Sequence, residues 1–298
     1  MMAFWYVVAF RIVAALPVWL RRVIARLIAW GYFAFNIRQR RGVFANLRIM
    51  RPEASHRELS RLALRTFYQA GMNLVNFFGI PSTSDARIES MIVNFADIHL
   101  LLDQRSGGRP FCLVTGHYGH WELAGAMLGL GGYRTHAIAL TQNSWVVQRL
   151  YESLRVRFGL TAHDVRFGLR DLLRYLPEGE VPAIVSDRDY ASGGEEVGFF
   201  GHPVRFPRGA ALLSFRRKLV GIPGFLVRQP DGRFLLKFGR PINPEASDER
   251  SWVRAFVVDF AQQYEAIVDQ DPTQFLNFFD FWSTVSCCLL YTSPSPRD

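Results

Sequence analysis

Cysteine is scarce: the 298-residue chain carries three. Two of them, Cys287 and Cys288, fall in a C-terminal stretch whose composition breaks abruptly from the rest. The remaining Cys112 lies in an apolar run, where a reduced thiol packs as a small hydrophobe. No disulfide framework can be drawn, which suits a reducing compartment. A G-x-S-x-G elbow is also missing, which argues against the common serine-hydrolase design. There is no H-E-x-x-H and no cysteine–histidine cluster, so no metal site with convincing spacing is expected. Gly129-Leu-Gly131-Gly132 follows a helical stretch and therefore fails the dinucleotide-binding context. No internal repeat and no recognisable nucleic-acid module is present. The expectation is a protein without metal, cofactor or nucleic-acid partner.

Acidic residues are in the minority, 26 against 35 basic ones, for a net charge of +9, while 49% of residues are hydrophobic. The mean hydropathy is +0.05. A chain both apolar and basic, with its arginines dispersed among apolar residues, suits a membrane surface with anionic lipids better than nucleic acid.

No apolar run is comfortably long enough to span a bilayer. Residues 3–20 come closest, interrupted by Arg11 and Pro17, against the roughly 20 residues a spanning helix needs. Arg21, Arg22 and Arg26 follow, then a second apolar run over residues 27–35. Trp5, Trp19 and Trp30 stand where interfacial anchors would. There is no basic n-region and no small-residue cleavage site, so this reads as a retained segment. Residues 1–35 are expected to be membrane-associating helices, residues 36–282 the catalytic domain, and residues 283–298 a non-native tail. The composition suits a cytoplasmic membrane face.

Downstream, Ser55 to Phe78 reads as a helix with Arg57, Arg61 and Arg65 on one basic face. From Arg109 onward strands and helices alternate. Strands are expected at Pro110–Gly116, Tyr133–Leu140 and Glu180–Ser186. Helices are expected at Leu123–Leu130, Asn143–Phe158, Gly168–Leu176 and Phe206–Leu219. A hairpin with a Pro-Asp-Gly turn joins Ile222–Arg228 to Phe234–Phe238, and Ser251–Val268 closes the domain as a helix. The pattern predicts an α/β fold with a mixed, largely parallel sheet wrapped by helices.

The chemistry concentrates at His117-Tyr-Gly-His-Trp-Glu122, directly after an apolar strand. A histidine at a strand-to-helix junction sits at the mouth of an α/β sheet, where reactive groups gather. Glu122, about one turn on, is expected to orient the imidazole, making His117 a general base. Gly116 and Gly119 suit close approach or unusual backbone angles. His120 makes a metal site conceivable but lacks the usual spacing. Asp187 and Asp189 end a second apolar strand, and at least one should enter the same cleft; a two-carboxylate metal site is the rival reading.

Gly116-His-Tyr-Gly-His-Trp-Glu122 resembles the first motif of the bacterial lipid A late acyltransferases, the lauroyl and myristoyl transferases of the lysophospholipid acyltransferase superfamily. Leu154-Arg155-Val-Arg157 resembles that family's arginine pair, and Ser186-Asp187-Arg-Asp189-Tyr190 its Asp-x-Asp-Tyr element. Phe199-Phe-Gly201 followed by Phe206-Pro-Arg-Gly-Ala210 resembles its Phe-Phe-Gly block. The similarity runs over roughly residues 1–282. Arg188 departs from the Gln or His more usual there and, with Phe-Pro-Arg-Gly, also resembles the phosphatidylinositol mannoside acyltransferases. The resemblance implies a glycerolipid acyltransferase-like fold. It implies acyl transfer from acyl-carrier protein or acyl-coenzyme A to a lipid acceptor: a lipid A precursor, a phosphatidylinositol mannoside or a lysophospholipid. It places His117, Glu122, Arg155 and Asp187 at the chemistry. Arg157, Arg188, Asp189, Arg205 and Arg208 are then expected at the substrates. A non-catalytic lipid-binding protein is the competing class.

Overall fold

The computed structural model describes residues 16–80, 83–140, 145–190 and 193–283. Among the described residues three helices come first, α1 (Val18–Phe35), α2 (Ile37–Met50) and α3 (His56–Gly79). The start of α3 is written in its sequence. The Ser55 hydroxyl accepts from the Glu58 N–H, and the Glu58 carboxylate accepts from the Ser55 N–H at 2.8 Å, a reciprocal cap that satisfies two orphan donors. α1 lies along α3, burying Ala25 against Met72 and Val75. Its other side leaves Trp19, Leu27, Trp30 and Phe35 exposed. Residues 3–15 of the expected first apolar run lie outside the described residues, as does the tail from residue 284. No helix of the described residues is long and apolar enough to cross a membrane.

After the short helices α4 (Asp85–Ser90) and α5 (Ile98–Ser106), the α/β body begins. It runs β1 (Phe111–Thr115), α6 (Trp121–Leu130), β2 (Thr135–Ala139), α7 (Trp145–Arg157), β3 (Leu160–Asp164), α8 (Gly168–Arg174) and β4 (Val181–Val185). There follow β5 (Glu195–Phe199), β6 (His202–Phe206), α9 (Gly209–Arg217), β7 (Val220–Arg228), β8 (Phe234–Phe238) and α10 (Glu249–Gln270). The main sheet has the order β3-β2-β4-β1-β7-β8, parallel throughout except for the β7–β8 hairpin. The expected mixed, largely parallel sheet is what the chain forms.

The central strand β1 buries Cys112, Leu113 and Val114, as a parallel strand covered on both faces must. One cover is α10. Trp252, Phe256, Phe260, Tyr264 and Val268 recur every four residues and form its buried stripe.

Three local expectations need correction. β3 is a strand in a stretch assigned none, because Leu160-Thr-Ala-His-Asp164 is short and polar for a sheet edge. Phe206 does not open a helix; it ends β6, and α9 starts at Gly209. β5 and β6 form an antiparallel hairpin turned by Phe200 and Gly201, at φ 51° and 72°. Two successive positive φ values match the twist of a two-residue hairpin loop.

Candidate active site

Register alone brings the two key side chains together. β1 and β4 are adjacent and parallel, with Thr115 opposite Val185, and the Ser186 N–H extends the ladder to the Thr115 carbonyl at 2.7 Å. Two residues beyond each strand end stand His117 and Asp187. They therefore meet at the carboxyl edge of the sheet although they are 70 positions apart.

His117 Nδ1 lies 2.6 Å from Asp187 Oδ1, and the His117 backbone N–H donates to Asp187 Oδ2 at 2.8 Å. The same carboxylate accepts from the Tyr264 hydroxyl at 3.2 Å and from the Asn277 amide at 3.3 Å. Asp187 is fully buried, with a side-chain exposure of 0%, while His117 keeps 16%. Burial alone would raise the Asp187 pKa. The charge and hydrogen bonds of His117, with Arg188 nearby, instead hold it well below the usual carboxylate range. Burial, the largest effect at His117, pushes its pKa below the ordinary value, with Asp187 opposing. The result is a neutral imidazole beside an ionised carboxylate. Nδ1–H is committed to Asp187, which leaves Nε2 with its lone pair.

The turn that carries His117 is pinned from the far end of the chain. The Leu276 N–H donates to the His117 carbonyl at 2.8 Å, and the Gly119 N–H donates to the Gln274 carbonyl at 3.0 Å. Gly119 sits at φ 61°, where an added Cβ would collide with the Leu226 carbonyl oxygen. A Cβ on Gly116 would run into the Tyr264 ring. The two glycines thus admit backbone and a packed tyrosine. His120 Nδ1 accepts from the Leu123 N–H at 3.3 Å and caps α6. Among the described residues no group of three or more His, Cys, Asp or Glu side chains is placed to hold a metal ion.

Glu122 does not orient His117. Its Oε1 accepts from Arg155 Nη2 at 2.9 Å, and the imidazole's partner is Asp187. Nearness in sequence favoured Glu122; pairing of distant strands decides for Asp187. The arginine pair also divides. Arg155 is held on Glu122 and over the Tyr151 ring. Arg157 turns away to the carbonyls of Ile80 and Thr83 and to Asp85 Oδ1, at 2.6, 2.9 and 2.6 Å.

The cation whose field reaches both His117 and Asp187 is Arg188. It donates to Asn277 Oδ1 at 2.7 Å and to the Leu276 carbonyl at 3.2 Å. Asp189 stays out of the dyad, accepting the Gly194 N–H at 2.7 Å. Arg205 is exposed on β6, and Arg208 is exposed and bonded to the Gly193 carbonyl and Glu195. Phe199 and Phe206 are fully buried against Tyr264 and Phe281, so this part of the Phe-Phe-Gly block builds core.

Tyr264, Gln274 and Asn277 escaped sequence reasoning. The i+4 stripe of α10 could have pointed to Tyr264, but nothing local marks residues 274–277.

A family model described as "Bacterial lipid A biosynthesis acyltransferase" matches residues 1–284. The chain belongs to that family. It is thereby a member of a family of acyl-transferring enzymes in lipid biosynthesis. It is also similar to a phosphatidylinositol mannoside acyltransferase of Mycolicibacterium smegmatis, with 25% identity over 201 residues. That match covers 65% of this chain and spans 64% of the length of the relative.

Proposed function

We propose that this protein moves a fatty acyl chain from a thioester, acyl-carrier protein or acyl-coenzyme A, to a hydroxyl of a glycolipid such as a lipid A precursor. The work would take place at the cytoplasmic face of the inner membrane. The observation that carries this reading is the His117–Asp187 pair, a neutral imidazole locked in one tautomer by a buried carboxylate.

His117 Nε2 takes the proton of the acceptor hydroxyl as its oxygen attacks the thioester carbonyl carbon. Asp187 supports the imidazolium that forms. The tetrahedral oxyanion collapses, the C–S bond breaks, and the proton on Nε2 passes to the departing thiolate. An ester and a free thiol result, and the histidine returns to its starting state. Arg188 and Arg155 are the cations available to the oxyanion, which electrostatics must stabilise in any acyl transfer. No covalent acyl-enzyme is required, in keeping with the missing G-x-S-x-G elbow.

The relative's printed name supports a second acceptor, a phosphatidylinositol mannoside. Membrane association rests on the exposed Trp19, Leu27, Trp30 and Phe35 of α1. The test combines the purified full chain with acyl-carrier-protein or coenzyme A thioesters and separate acceptors, read by mass spectrometry. A gain of one acyl mass on the lipid A precursor supports the first acceptor. A gain on the phosphatidylinositol mannoside alone replaces it. Binding of lipid without turnover by any pair would make the protein a lipid-binding one.

A further inference from the structure

A cleft of about 790 Å³, whose lining includes neither His117 nor Asp187, lies between α1, α3, α4 and the β7–β8 turn. Among the described residues seven arginines line it, against a single acid, Asp231. Asp231 is already paired with Arg233 at 2.7 Å, and Arg65 with Asp271 at 3.3 Å. That leaves the cleft strongly positive.

Arg228 is part of its lining. The guanidinium is largely buried over the Phe234 ring and donates through Nη2 to Asn73 Oδ1 at 2.6 Å. Its Nε is buried with no hydrogen-bond partner among the described residues. Burial, and the neighbouring charge of Arg22, lower its pKa to about 10. Gln69, only 6% exposed, has in the same wall an Oε1 with no hydrogen-bond partner among the described residues. A buried cation without a counter-charge is costly, and a buried donor and acceptor without partners add to that cost.

Arg22 and Arg26 stand one turn apart on α1, both exposed. Beside them on the same helix run the exposed apolar residues Trp19, Val23, Leu27 and Trp30. A surface with tryptophan and leucine flanked by arginine suits the headgroup level of a bilayer. Guanidinium forks match phosphate oxygens, and an acceptor beside them matches a hydroxyl.

We infer that this cleft is a binding site for the phosphate-bearing, hydroxylated headgroup of an anionic membrane lipid. The phosphate lies between Arg22, Arg26 and Arg228, and Gln69 receives a headgroup hydroxyl. This site is separate from the catalytic turn. Arg228 is linked to that turn through Asn73, whose amide donates to the Gly119 carbonyl at 2.5 Å, and through Gln274, which accepts from the Arg228 N–H at 2.9 Å and whose own carbonyl accepts from the Gly119 N–H.

The test is calorimetric titration of the full chain with monomeric short-chain phosphatidylglycerol, short-chain phosphatidylcholine, glycerol 3-phosphate and inorganic phosphate. Saturable binding of phosphatidylglycerol, tighter than the other three probes, is expected. Arg22→Ala with Arg26→Ala should weaken it about tenfold or more, as loss of charge-assisted hydrogen bonds does. Both positions are exposed, so folding is preserved. Arg170→Ala, an exposed arginine elsewhere, and His117→Ala should bind as the parent does, which keeps this result independent of turnover. Equal affinity for phosphatidylcholine would reduce the interaction to acyl chains and overturn the inference. Equal affinity for glycerol 3-phosphate or inorganic phosphate would make the ligand a soluble one and overturn the lipid assignment. Binding unchanged in the double variant, or absent for all four probes, would also overturn it.

Discussion

Asp187 holds His117 at two points, ring Nδ1 at 2.6 Å and backbone N–H at 2.8 Å, so one carboxylate fixes both tautomer and position. Asp187→Asn keeps the size but lets an amide N–H face Nδ1, which favours the wrong tautomer. The expected result is a fall in kcat of about 10²–10⁴-fold with KM little changed, the range lost with general-base function. Glu122→Gln leaves the imidazole's bond intact and should cost under about tenfold. Steady-state kinetics of the two variants checks the order; a reversed order would restore Glu122 as the partner.

The pH profile carries a sign. Burial lowers the His117 pKa, so the base stays unprotonated as pH falls until its own, lower value is reached. kcat/KM should be flat through neutrality and decline with a midpoint below about 6.5, the ordinary histidine value. In Asp187→Asn the carboxylate that raises the His117 pKa is gone, so the residual activity should decline at still lower pH. A midpoint above the ordinary value in the parent would mean that the Asp187 charge outweighs burial at His117.

Arg155 and Arg157 should behave differently. Arg155 is held on Glu122 and only 13% exposed; if it stabilises the oxyanion as proposed, Arg155→Lys should lower kcat and kcat/KM together. Arg157 ties the segment around Ile80 to Asp85, and Arg157→Ala should lower Tm while leaving kcat near the parent value. Kinetics and thermal unfolding of both variants separate chemistry from support. Equal loss of kcat in both would mean that they act as one unit.

Gly119→Ala and Gly132→Ala form a matched pair. Both glycines have positive φ, 61° and 80°, but only Gly119 would place a Cβ against backbone, whereas Gly132 faces open space. Gly132→Ala should cost about 1–2 kcal/mol of backbone strain. Gly119→Ala should cost clearly more, on the order of 3 kcal/mol or above, because backbone must move. Thermal denaturation of the full chain reads both.

Much of the fold was legible because its signals are local. The Ser55–Glu58 cap, the apolar β1 and the Pro-Asp-Gly turn between β7 and β8 each lie within a few residues of what they specify. β3 was not legible, since a short run of mostly polar or small residues at a sheet edge carries no periodicity. The β5–β6 hairpin hid behind Phe199-Phe-Gly201, where the turn opens on Phe200, a phenylalanine at positive φ. At the site, His117 could be found from its strand and glycines, and Asp187 from its strand end. Their pairing could not, because it depends on β4 crossing back beside β1 after two intervening strands. The anchoring of the turn by Gln274, Leu276 and Asn277 depends likewise on contacts between residues far apart in sequence.

The most direct test of acyl transfer through His117 is the single-turnover rate of ester formation with a thioester donor, in the parent and in His117→Ala. The parent should give an acceptor heavier by one acyl group and one equivalent of free thiol. His117→Ala should be slower by about 10²–10⁴-fold with its circular dichroism spectrum unchanged. A correctly folded His117→Ala variant that keeps more than about a tenth of the parent rate would contradict a role for this histidine as the base.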